Sequence, residues 1–462
     1  MLAESTKREI AQRILEHGHQ RLTPERLHGI LCACIPSRPA ADEFLANLMH
    51  EQREWPRDRF LAEVWQFYEA RLKPNFLESR ETNRAPLCMF RHFHVGHTPD
   101  VQFQEFVANA FASLAFWKFP ICLQRPLLHG EGRVANVAAL NDRYTLQVSA
   151  AEINSIWTEV REWLDCMLRR RDWRLTVRPE ENDPALPVSV AAQAAYVFAR
   201  SHLAWADCRL EAPVSSNAIR VLLDARIVGT CWWGETEQCN CRSVASTALA
   251  VMALGDWEMW CRRSIEGASG IKPLGEDQRR ELICDDYASV LSEAREACRD
   301  ALNALAETAS AVGWPAYLDG TDLHASPQLR ATSLAFYSLD RFAEEYQTQR
   351  CDNMDTIGDW LKDAIHGYVV GKTPLFNHDD CGNGDDVVES VALALTVVAR
   401  DLKPTGALWI RKALRWLLLN GPARTDDGVA PEAVQRRDIL AIYGIIEVLR
   451  RDQETNLLDR LI

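Results

Sequence analysis

The sequence predicts an all-α protein in which six helical hairpins close into a ring, and three observations carry this prediction. A unit that joins a polar loop bearing Cys and Trp to a helix of small residues, VGTCWWGETEQCNCRSVASTALAVMALGDW, spans residues 228–257. Variants of this unit return at 317–342, 374–402 and 420–449, and such recurrence is the signature of a repeat architecture. Helical periodicity on both sides of each loop makes the repeated element a helical hairpin.

The elements follow in order along the chain. Residues 1–56 are predicted to form two or three short helices, broken at Pro36, Pro39 and Pro56 because the proline ring does not fit a helix interior. We interpret this segment as an N-terminal helical cap and residues 57–462 as a ring of about six hairpins. The predicted helix pairs are 57–72 with 101–118, 153–171 with 187–203, 215–228 with 242–257, 289–312 with 327–345, 356–370 with 385–402, and 407–419 with 432–451.

The two helices of a pair differ in composition. Second helices such as SVASTALAVMAL are apolar nearly all round, whereas first helices such as ALWIRKALRWLLL keep a charged stripe. A helix that is apolar all round is packed on several sides, and an amphipathic helix lies at the surface. Second helices are therefore predicted to form an inner ring and first helices an outer ring. The positions predicted to be buried are Ala250, Leu254, Ala335, Leu395 and Ile445.

Composition sets limits on location and partners. The 462 residues carry a formal net charge of −13, which argues against a general nucleic-acid-binding protein because phosphate contacts need clustered Lys and Arg. The N-terminal residues carry charge throughout and lack the apolar core of a signal peptide. No run reaches the length of a transmembrane segment. We therefore expect a cytoplasmic protein whose 14 cysteines are mostly reduced.

The repeats resemble those of a known superfamily. First helices that end in a Trp-Leu or Leu-Leu step lead into a turn such as TDDG and then into a helix of small residues. This order resembles the repeat of the terpenoid cyclase and protein prenyltransferase superfamily, whose fold is the α/α toroid. The stretch DDGVAPEAVQRRDILAIYGIIEVL, residues 426–449, looks like the final repeat of a protein prenyltransferase β subunit. From about residue 57 onward, the resemblance implies an α/α toroid that handles isoprenoids.

The zinc site of the protein prenyltransferases has only a partial counterpart. That family holds zinc with an Asp-x-Cys pair at the start of an inner helix and with a His in the last inner helix. The similar stretch here is Asp379-Asp380-Cys381, a few positions before the predicted helix start, where Asp386 aligns better. The position of the family's His falls near Ala441. The prenyltransferase zinc site is therefore not reproduced.

A second motif resembles that of the class II terpenoid cyclases, which use Asp-x-Asp-Asp to protonate an alkene or epoxide. The segment Asn383-Gly384-Asp385-Asp386 is similar to this motif with its first Asp replaced. The resemblance makes Asp385 the catalytic acid, with Asp386 beside it. If this helix is instead aligned on the small residues of SVASTALAVMAL, the motif falls on residues 386–389, and no Asp stands at the position of the catalytic acid. The alternative role of both carboxylates is to cap the N-terminus of the helix.

Thiol, imidazole and carboxylate groups occur in the loops that lead into the second helices. In a ring all these loops emerge on one rim, so Cys239, Cys241, His378, Asp379 and Cys381 are candidate metal ligands. Thiolate and imidazole together suit zinc, although the spacing lacks a paired Cys-x-x-Cys. The alternative is that they are ordinary loop residues.

Acidic and aromatic residues complete the candidates. Asp285-Asp286 resembles the first magnesium-binding motif of the class I terpenoid synthases, but that family's second metal motif has no counterpart here. The alternative is that the two carboxylates mark the start of a helix. Zinc and magnesium are thus the two candidate cofactors.

Aromatic side chains either line a cavity and contact a ligand or seal the packing between repeats. The aromatic candidates for substrate binding are Trp232, Trp233, Tyr337 and Tyr443.

Two classes of function remain open. The resemblance implies an isoprenoid-handling enzyme that takes an apolar or prenyl diphosphate ligand, and its most specific form is an acid-initiated cyclase using Asp385. The departures at both catalytic motifs favour a toroid without chemistry, which serves as a protein-binding or scaffold component of a multi-protein bacterial system. An apolar, aromatic-lined pocket at the centre would favour the enzyme, and a centre filled by side chains would favour the scaffold.

Overall fold

The computed structural model shows an all-helical chain. It describes residues 4–16, 23–73, 99–123, 135–149, 151–152, 190–206, 216–236, 239–266, 285–319, 326–371, 387–401, 407–423 and 436–455. Across these stretches the secondary structure is helical, with two isolated β-bridges and no strand. The prediction of an all-α protein is therefore confirmed.

The described α-helices are numbered here in chain order. The first three are α1 (Glu4–Glu16), α2 (Pro24–Cys34) and α3 (Arg38–Glu54). Helix α4 (Arg57–Phe67) continues as a π-helical turn (Tyr68–Leu72). The remaining helices are α5 (Pro99–Leu123), α6 (Ala135–Tyr144), α7 (Val190–Ala206), α8 (Ser216–Asp224), α9 (Val244–Glu266), α10 (Asp285–Glu307), α11 (Leu329–Phe342), α12 (Met354–Val369), α13 (Val387–Val398), α14 (Ala407–Asn420) and α15 (Arg436–Thr455).

Six helices contact one another in a closed cycle. Helix α5 contacts α7, α7 contacts α9, and the series continues through α11, α13 and α15, which returns to α5. These six are the second helices of the predicted pairs. First helices lie beside them, with α10 against α9 and α11, α12 against α11 and α13, and α14 against α13 and α15. The pairing order along the chain is thus the order of contact in space.

The apolar second helices are buried along most of their length. All residues of 387–397 in α13 and of 246–261 in α9 are buried, whereas α10 exposes Glu293, Glu296 and Arg299. Full burial of one large aliphatic side chain contributes about 1.5–3 kcal/mol. No helix in the described ranges is long and apolar enough to cross a membrane. The five positions predicted to be buried are all 0% exposed, namely Ala250, Leu254, Ala335, Leu395 and Ile445.

A loop tryptophan joins the two helices of a hairpin. The Trp233 indole Nε1–H donates to the carbonyl of Leu222 at the end of α8, 2.7 Å away. Its backbone N–H donates to Oγ1 of Thr247 in the first turn of α9, at 3.0 Å. The same two hydrogen bonds recur in the next hairpin, at Trp314, Leu305 and Thr332.

Each of these loops also contacts the helix of the preceding hairpin. The backbone N–H of Val244, the first residue of α9, donates to the carbonyl of Ala316 at 3.0 Å. The N–H of Val190, the first residue of α7, donates in the same way to Glu235, also at 3.0 Å. The first N–H groups of a helix have no acceptor within their own helix, so the next loop supplies one. The sequence repeat is therefore also a repeat of hydrogen bonds.

A glycine inside α9 allows α11 to approach closely. A Cβ atom at Gly255 would lie 2.9 Å from the ring of Phe342, which is itself fully buried. Glycine weakens a helix interior by about 0.5–1 kcal/mol relative to alanine. Close packing between the two helices offsets this cost.

Some helix bounds differ from the predicted ones. Helix α9 continues nine residues past the predicted end at 257, because no proline interrupts it and its last turns carry good helix formers. Helix α11 begins at Leu329 instead of residue 327, after Gln328 has adopted extended backbone. Helix α6 was not predicted. The predicted first helix at 153–171 lies outside the described residues.

The N-terminal helices pack against the last hairpin. Helix α3 contacts α14, and the guanidinium of Arg415 in α14 lies 5.5 Å from the centroid of the Trp55 ring. At the start of α4, the buried Arg57 donates hydrogen bonds to the carbonyls of Cys122 and Leu449, at 2.7 and 3.4 Å. These contacts tie the first and last parts of the chain together. The division into a cap and a ring at residue 56 stays a prediction.

Candidate functional site

Charged residues interrupt the later turns of four otherwise apolar second helices. Lys118 in α5, Asp256 in α9 and Glu447 in α15 are at most 4% exposed. Lys, Asp and Glu are rarely buried to this degree unless they are paired. Together with their neighbours they form a group that we call the central cluster, which consists of Lys118, Asp256, Tyr337, Arg341, Tyr443, Glu447, Arg450 and Arg451.

Glu447 is the hub of one half of the cluster. Its carboxylate accepts hydrogen bonds from Lys118 Nζ at 2.6 Å, from Arg450 Nη2 at 2.9 Å and from Arg451 Nε at 3.2 Å. Burial alone would raise the pKa of Glu447, but the charges of these three cations hold it well below its usual range. Burial lowers the pKa of Lys118, and Glu447 opposes that change. Glu447 is therefore ionised at neutral pH.

Arg341 and Asp256 form the other half. The Arg341 Nε–H donates to Oδ1 of Asp256 at 3.1 Å, and Nη2 donates to the same oxygen. Asp256 is fully buried. Burial would lower the pKa of Arg341, but the charge of Asp256 keeps it above its usual value. The guanidinium therefore stays charged inside the protein.

The two halves act on each other electrostatically. Helix α11 and helix α15 are separated by α13 in the order of contacts. Even so, the charges of Arg451 and Glu447 on α15 act on the pKa of Tyr337 on α11, and Tyr443 on α15 acts on Arg341. Charged and phenolic side chains from α5, α9, α11 and α15 therefore form one group.

Two tyrosines belong to this group. The Tyr443 ring meets the Phe111 ring edge-on at 4.9 Å between centroids, and Lys118 Nζ lies 5.4 Å from its centroid. Burial is the main cause that raises the pKa of Tyr337 and of Tyr443, so both phenols are neutral donors at physiological pH. Tyr337 nevertheless keeps accessible surface. Within the described stretches, neither hydroxyl makes a hydrogen bond to protein.

Positive charge exceeds negative charge within the cluster. Arg450 has further contacts and is left out of this count. The remaining cations are Lys118, Arg341 and Arg451, which face the two carboxylates of Asp256 and Glu447. Lys118 is buried, whereas Arg341 and Arg451 keep part of their surface exposed. The arrangement offers cationic donors and two phenol donors, which suit an anionic group.

Several residues proposed from the sequence lie outside the described residues. These are the candidate acids Asp385 and Asp386 and the candidate metal ligands His378, Asp379 and Cys381. Their roles stay predictions. Helix α13 begins at Val387, two residues after Asp385, so both acidic residues precede the first described turn of that helix.

The two described candidate metal ligands lie in the loop before α9. Cys239 is half-buried and Cys241 is exposed. Within the described part of the chain, no group of three or more His, Cys, Asp or Glu side chains is arranged to hold a metal ion. Zinc in a structural site needs four ligands, and in a catalytic site three. Cys239 and Cys241 alone are fewer ligands than a zinc site needs, and the other three candidates lie outside the described residues.

The loop tryptophans serve the packing of their hairpin. Trp233 is fully buried and held by Leu222 and Thr247, as described above. Trp232 is 4% exposed and borders an open groove of about 600 Å³ together with Arg226 and Arg242. Neither ring belongs to the central cluster, whereas the other two aromatic candidates, Tyr337 and Tyr443, do. Contact of Trp232 or Trp233 with a ligand stays a prediction.

The charged members of the central cluster were not proposed from the sequence. Lys118 follows the apolar run FASLAFW, Asp256 follows VMALG, and Glu447 follows IYGII. A single charge within a helix that is otherwise apolar all round is a usable signal, because it must be paired when the helix is buried. That signal marks the residues but does not show which of them meet.

The comparisons with known proteins leave the family open. No protein-family model matches the sequence, and a search of curated proteins finds no match.

Proposed function

We propose that the chain is an α/α toroid that handles isoprenoids and binds a prenyl diphosphate inside its cycle of second helices. The observation that carries the proposal is the central cluster, where three cations face two buried carboxylates beside two tyrosine hydroxyls that make no hydrogen bond to the described protein. The closed cycle of contacts among the six second helices supports the toroid. The proposed occupant has an anionic head and an apolar chain.

The head group matches the chemistry of the cluster. A diphosphate offers several acceptor oxygens, and guanidinium groups bind phosphate with paired N–H donors. Arg341 and Arg451 supply such donors, and Lys118 supplies a point charge. Because burial keeps Tyr337 and Tyr443 protonated, their hydroxyls donate to the same oxygens without adding negative charge. An anion would also offset the excess positive charge of the cluster.

The apolar chain would extend toward the N-terminal ends of the second helices. Glu447 lies 11 residues after Arg436, the first residue of α15, which corresponds to about 17 Å along the helix axis. The intervening turns are lined with buried aliphatic and aromatic side chains such as Leu440 and Phe111. A linear polyene of several isoprene units suits such a span. In the cyclase form of the proposal, Asp385 protonates the far end of this chain.

A second candidate function keeps the toroid but removes the chemistry. The pairs Lys118–Glu447 and Arg341–Asp256 satisfy much of each other's charge, as expected of an interior filled by its own side chains. This observation favours a protein-binding or scaffold component of a multi-protein bacterial system. The cytoplasmic location and the absence of nucleic-acid partners stay predictions under both functions.

Binding to the purified protein tests the first proposal. Calorimetric titration with linear prenyl diphosphates of several lengths should show saturable binding, and the matching prenyl alcohols should bind more weakly because they lack the anionic head. Removing one phenol donor by Tyr337→Phe or Tyr443→Phe should weaken diphosphate binding by about tenfold, equivalent to about 1.4 kcal/mol. The melting temperature should stay unchanged, because neither hydroxyl bonds to the described protein.

A matched control separates the cluster from tyrosines in general. The Tyr346 hydroxyl donates to Glu258 at 3.0 Å and does not belong to the cluster. Tyr346→Phe should therefore lower stability and leave prenyl diphosphate binding intact. If no prenyl diphosphate binds to wild type, the scaffold function is favoured over the enzyme. The next experiment is then a pull-down from the native host, which identifies the proteins that the chain binds.

The proposed acid has its own test. Asp385→Asn should abolish cyclisation of a bound linear polyene while binding and melting temperature stay near wild type. If Asp385 only caps a helix, Asn replaces it without effect and Asp385→Ala costs about 1 kcal/mol of stability. Turnover by the Asn variant at the wild-type rate would remove Asp385 from the mechanism.

A further inference from the structure

Two surface cysteines separated by one residue lie in the loop that leads into α9. Cys241 is exposed, Cys239 is half-buried, and both are free thiols. Consecutive Cα atoms are about 3.8 Å apart, so the Cα atoms of a Cys-x-Cys pair lie within about 7.6 Å of each other. A disulfide needs a Cα separation of about 4.4–6.8 Å. The spacing therefore permits a direct bond between these two side chains.

The backbone around the pair is anchored on both sides. The N–H of Cys239 donates to the carbonyl of Thr236 at 3.0 Å. The carbonyl of Cys239 packs so closely on Gly234 that a Cβ atom there would lie 2.1 Å from the oxygen. After the pair, Arg242 donates from its backbone N and from Nε to the carboxylate of Asp319, both at 2.6 Å. The two thiols are thus attached to a fixed frame.

The two side chains interact with each other. Cys239 is the main cause that raises the pKa of Cys241, and the nearby carboxylates of Asp319 and Glu235 add to the effect. The charge state of one thiol therefore affects the other. The local negative charge also disfavours the thiolate, which is the nucleophilic form.

We propose that Cys239 and Cys241 form a reversible intramolecular disulfide, with a low-molecular-weight disulfide as the oxidant. The exposed Cys241 thiolate attacks one sulfur of the oxidant RSSR, forms a mixed disulfide and releases RS⁻. The Cys239 thiolate then attacks Sγ of Cys241, forms the Cys239–Cys241 bond and releases the second RS⁻. Two electrons pass to the oxidant, and the two thiol protons pass to the released thiolates. This modification site is independent of the proposed isoprenoid function.

Other described cysteines differ from this pair in access. Cys122, Cys261 and Cys298 are fully buried, and burial raises the pKa of each thiol. Cys231 lies in the same surface region and is half-buried, and burial is the main cause that raises its pKa. Cys231 therefore serves as an internal reference with similar sequence context.

Peptide mapping tests the proposal on the full chain. Reduced protein is incubated with glutathione disulfide, its free thiols are alkylated, and the protein is cleaved after arginine and lysine. The peptide 227–242 contains Cys231, Cys239 and Cys241. We expect it to lose two hydrogen atoms, with a single alkyl group on Cys231, and we expect a thiol reductant to reverse the change. Alkylation of all three cysteines after oxidation would overturn the proposal.

Two variants test the order of the steps. Cys239→Ser should leave a stable mixed disulfide on Cys241, because the second thiol is missing. The matched control Cys231→Ser should form the intramolecular disulfide at the wild-type rate. Because the pKa of Cys241 is raised, the rate of the first step should keep rising with pH above the range of an ordinary thiol. A persistent mixed disulfide in wild type would show that Cys239 does not reach Cys241 and would also overturn the proposal.

Discussion

Replacing Glu447 with glutamine tests whether the central cluster is a buried ionic network. The substitution keeps the size of the side chain and removes the charge that contacts Lys118, Arg450 and Arg451 at 2.6–3.2 Å. Removing one partner of a buried pair costs about 3–5 kcal/mol, because the remaining charge is left uncompensated. Lys118 is only 2% exposed, so water cannot replace the carboxylate. We expect the free energy of unfolding to fall by about this amount.

Replacing Lys118 in place of Glu447 should lower the free energy of unfolding by a smaller amount. In Lys118→Met the carboxylate of Glu447 keeps its hydrogen bonds to Arg450 and Arg451, so the expected loss is about 1.5–3 kcal/mol for one charged hydrogen bond. The double variant should lose less than the sum of the two single losses, because each single change removes the same contact.

The pH dependence has a defined sign. Because the folded pKa of Glu447 lies below the unfolded value of about 4.3, its contribution to stability is complete above that value. The contribution is lost as the pH falls through the lower folded pKa. The stability difference between wild type and Glu447→Gln should therefore stay constant from neutral pH to about pH 5 and shrink at lower pH.

Urea unfolding followed by circular dichroism measures these quantities. Urea is uncharged and does not screen the ion pairs, so the midpoints report the ionic contribution directly. A loss below about 1 kcal/mol in Glu447→Gln would refute the assignment of a buried network. A larger loss in Lys118→Met than in Glu447→Gln would refute the argument that three cations share one carboxylate.

Three further substitutions test the packing, each measured by the same urea unfolding. Leu254→Ala should cost about 2–5 kcal/mol because the side chain is fully buried, and a loss below about 1 kcal/mol would place it outside the core. Trp314→Phe removes the bond to the Leu305 carbonyl and should cost about 1–3 kcal/mol, whereas an unchanged midpoint would deny that the bond stabilises the hairpin. Gly255→Ala should cost about 1–3 kcal/mol by overpacking against Phe342, and a stabilised variant would contradict the close approach of α9 and α11.

The helices could be predicted from the sequence because their composition is consistent along each segment. The small-residue run of α9 and the aliphatic run of α13 predict burial on several sides, and both are buried over most of their length. Helix α6 was missed because its ten residues, ANVAALNDRY, carry too short an apolar pattern to define a period. The extension of α9 to Glu266 was missed because charged residues after Trp257 resemble a loop.

The candidate site was less predictable, because its contacts join distant parts of the chain. Lys118 and Glu447 meet across 329 positions, a pairing that neither periodicity nor local spacing indicates. Tyr337 and Tyr443 were predicted as aromatic residues that bind substrate, and both belong to the central cluster, whereas their role in binding stays a prediction. Their cationic neighbours lie inside helices, where no local motif marks them.

The hydrogen bonds between a loop and the preceding helix have a consequence for how the protein folds. The first N–H of α7 is satisfied only when residue 235 has docked, and the first N–H of α9 only when residue 316 has docked. On a ribosome, α7 and α9 therefore emerge with an open N-terminal end until the following hairpin has been synthesised. A chain stopped between two hairpins would keep its last second helix frayed, and this end would be the first site of attack for a protease.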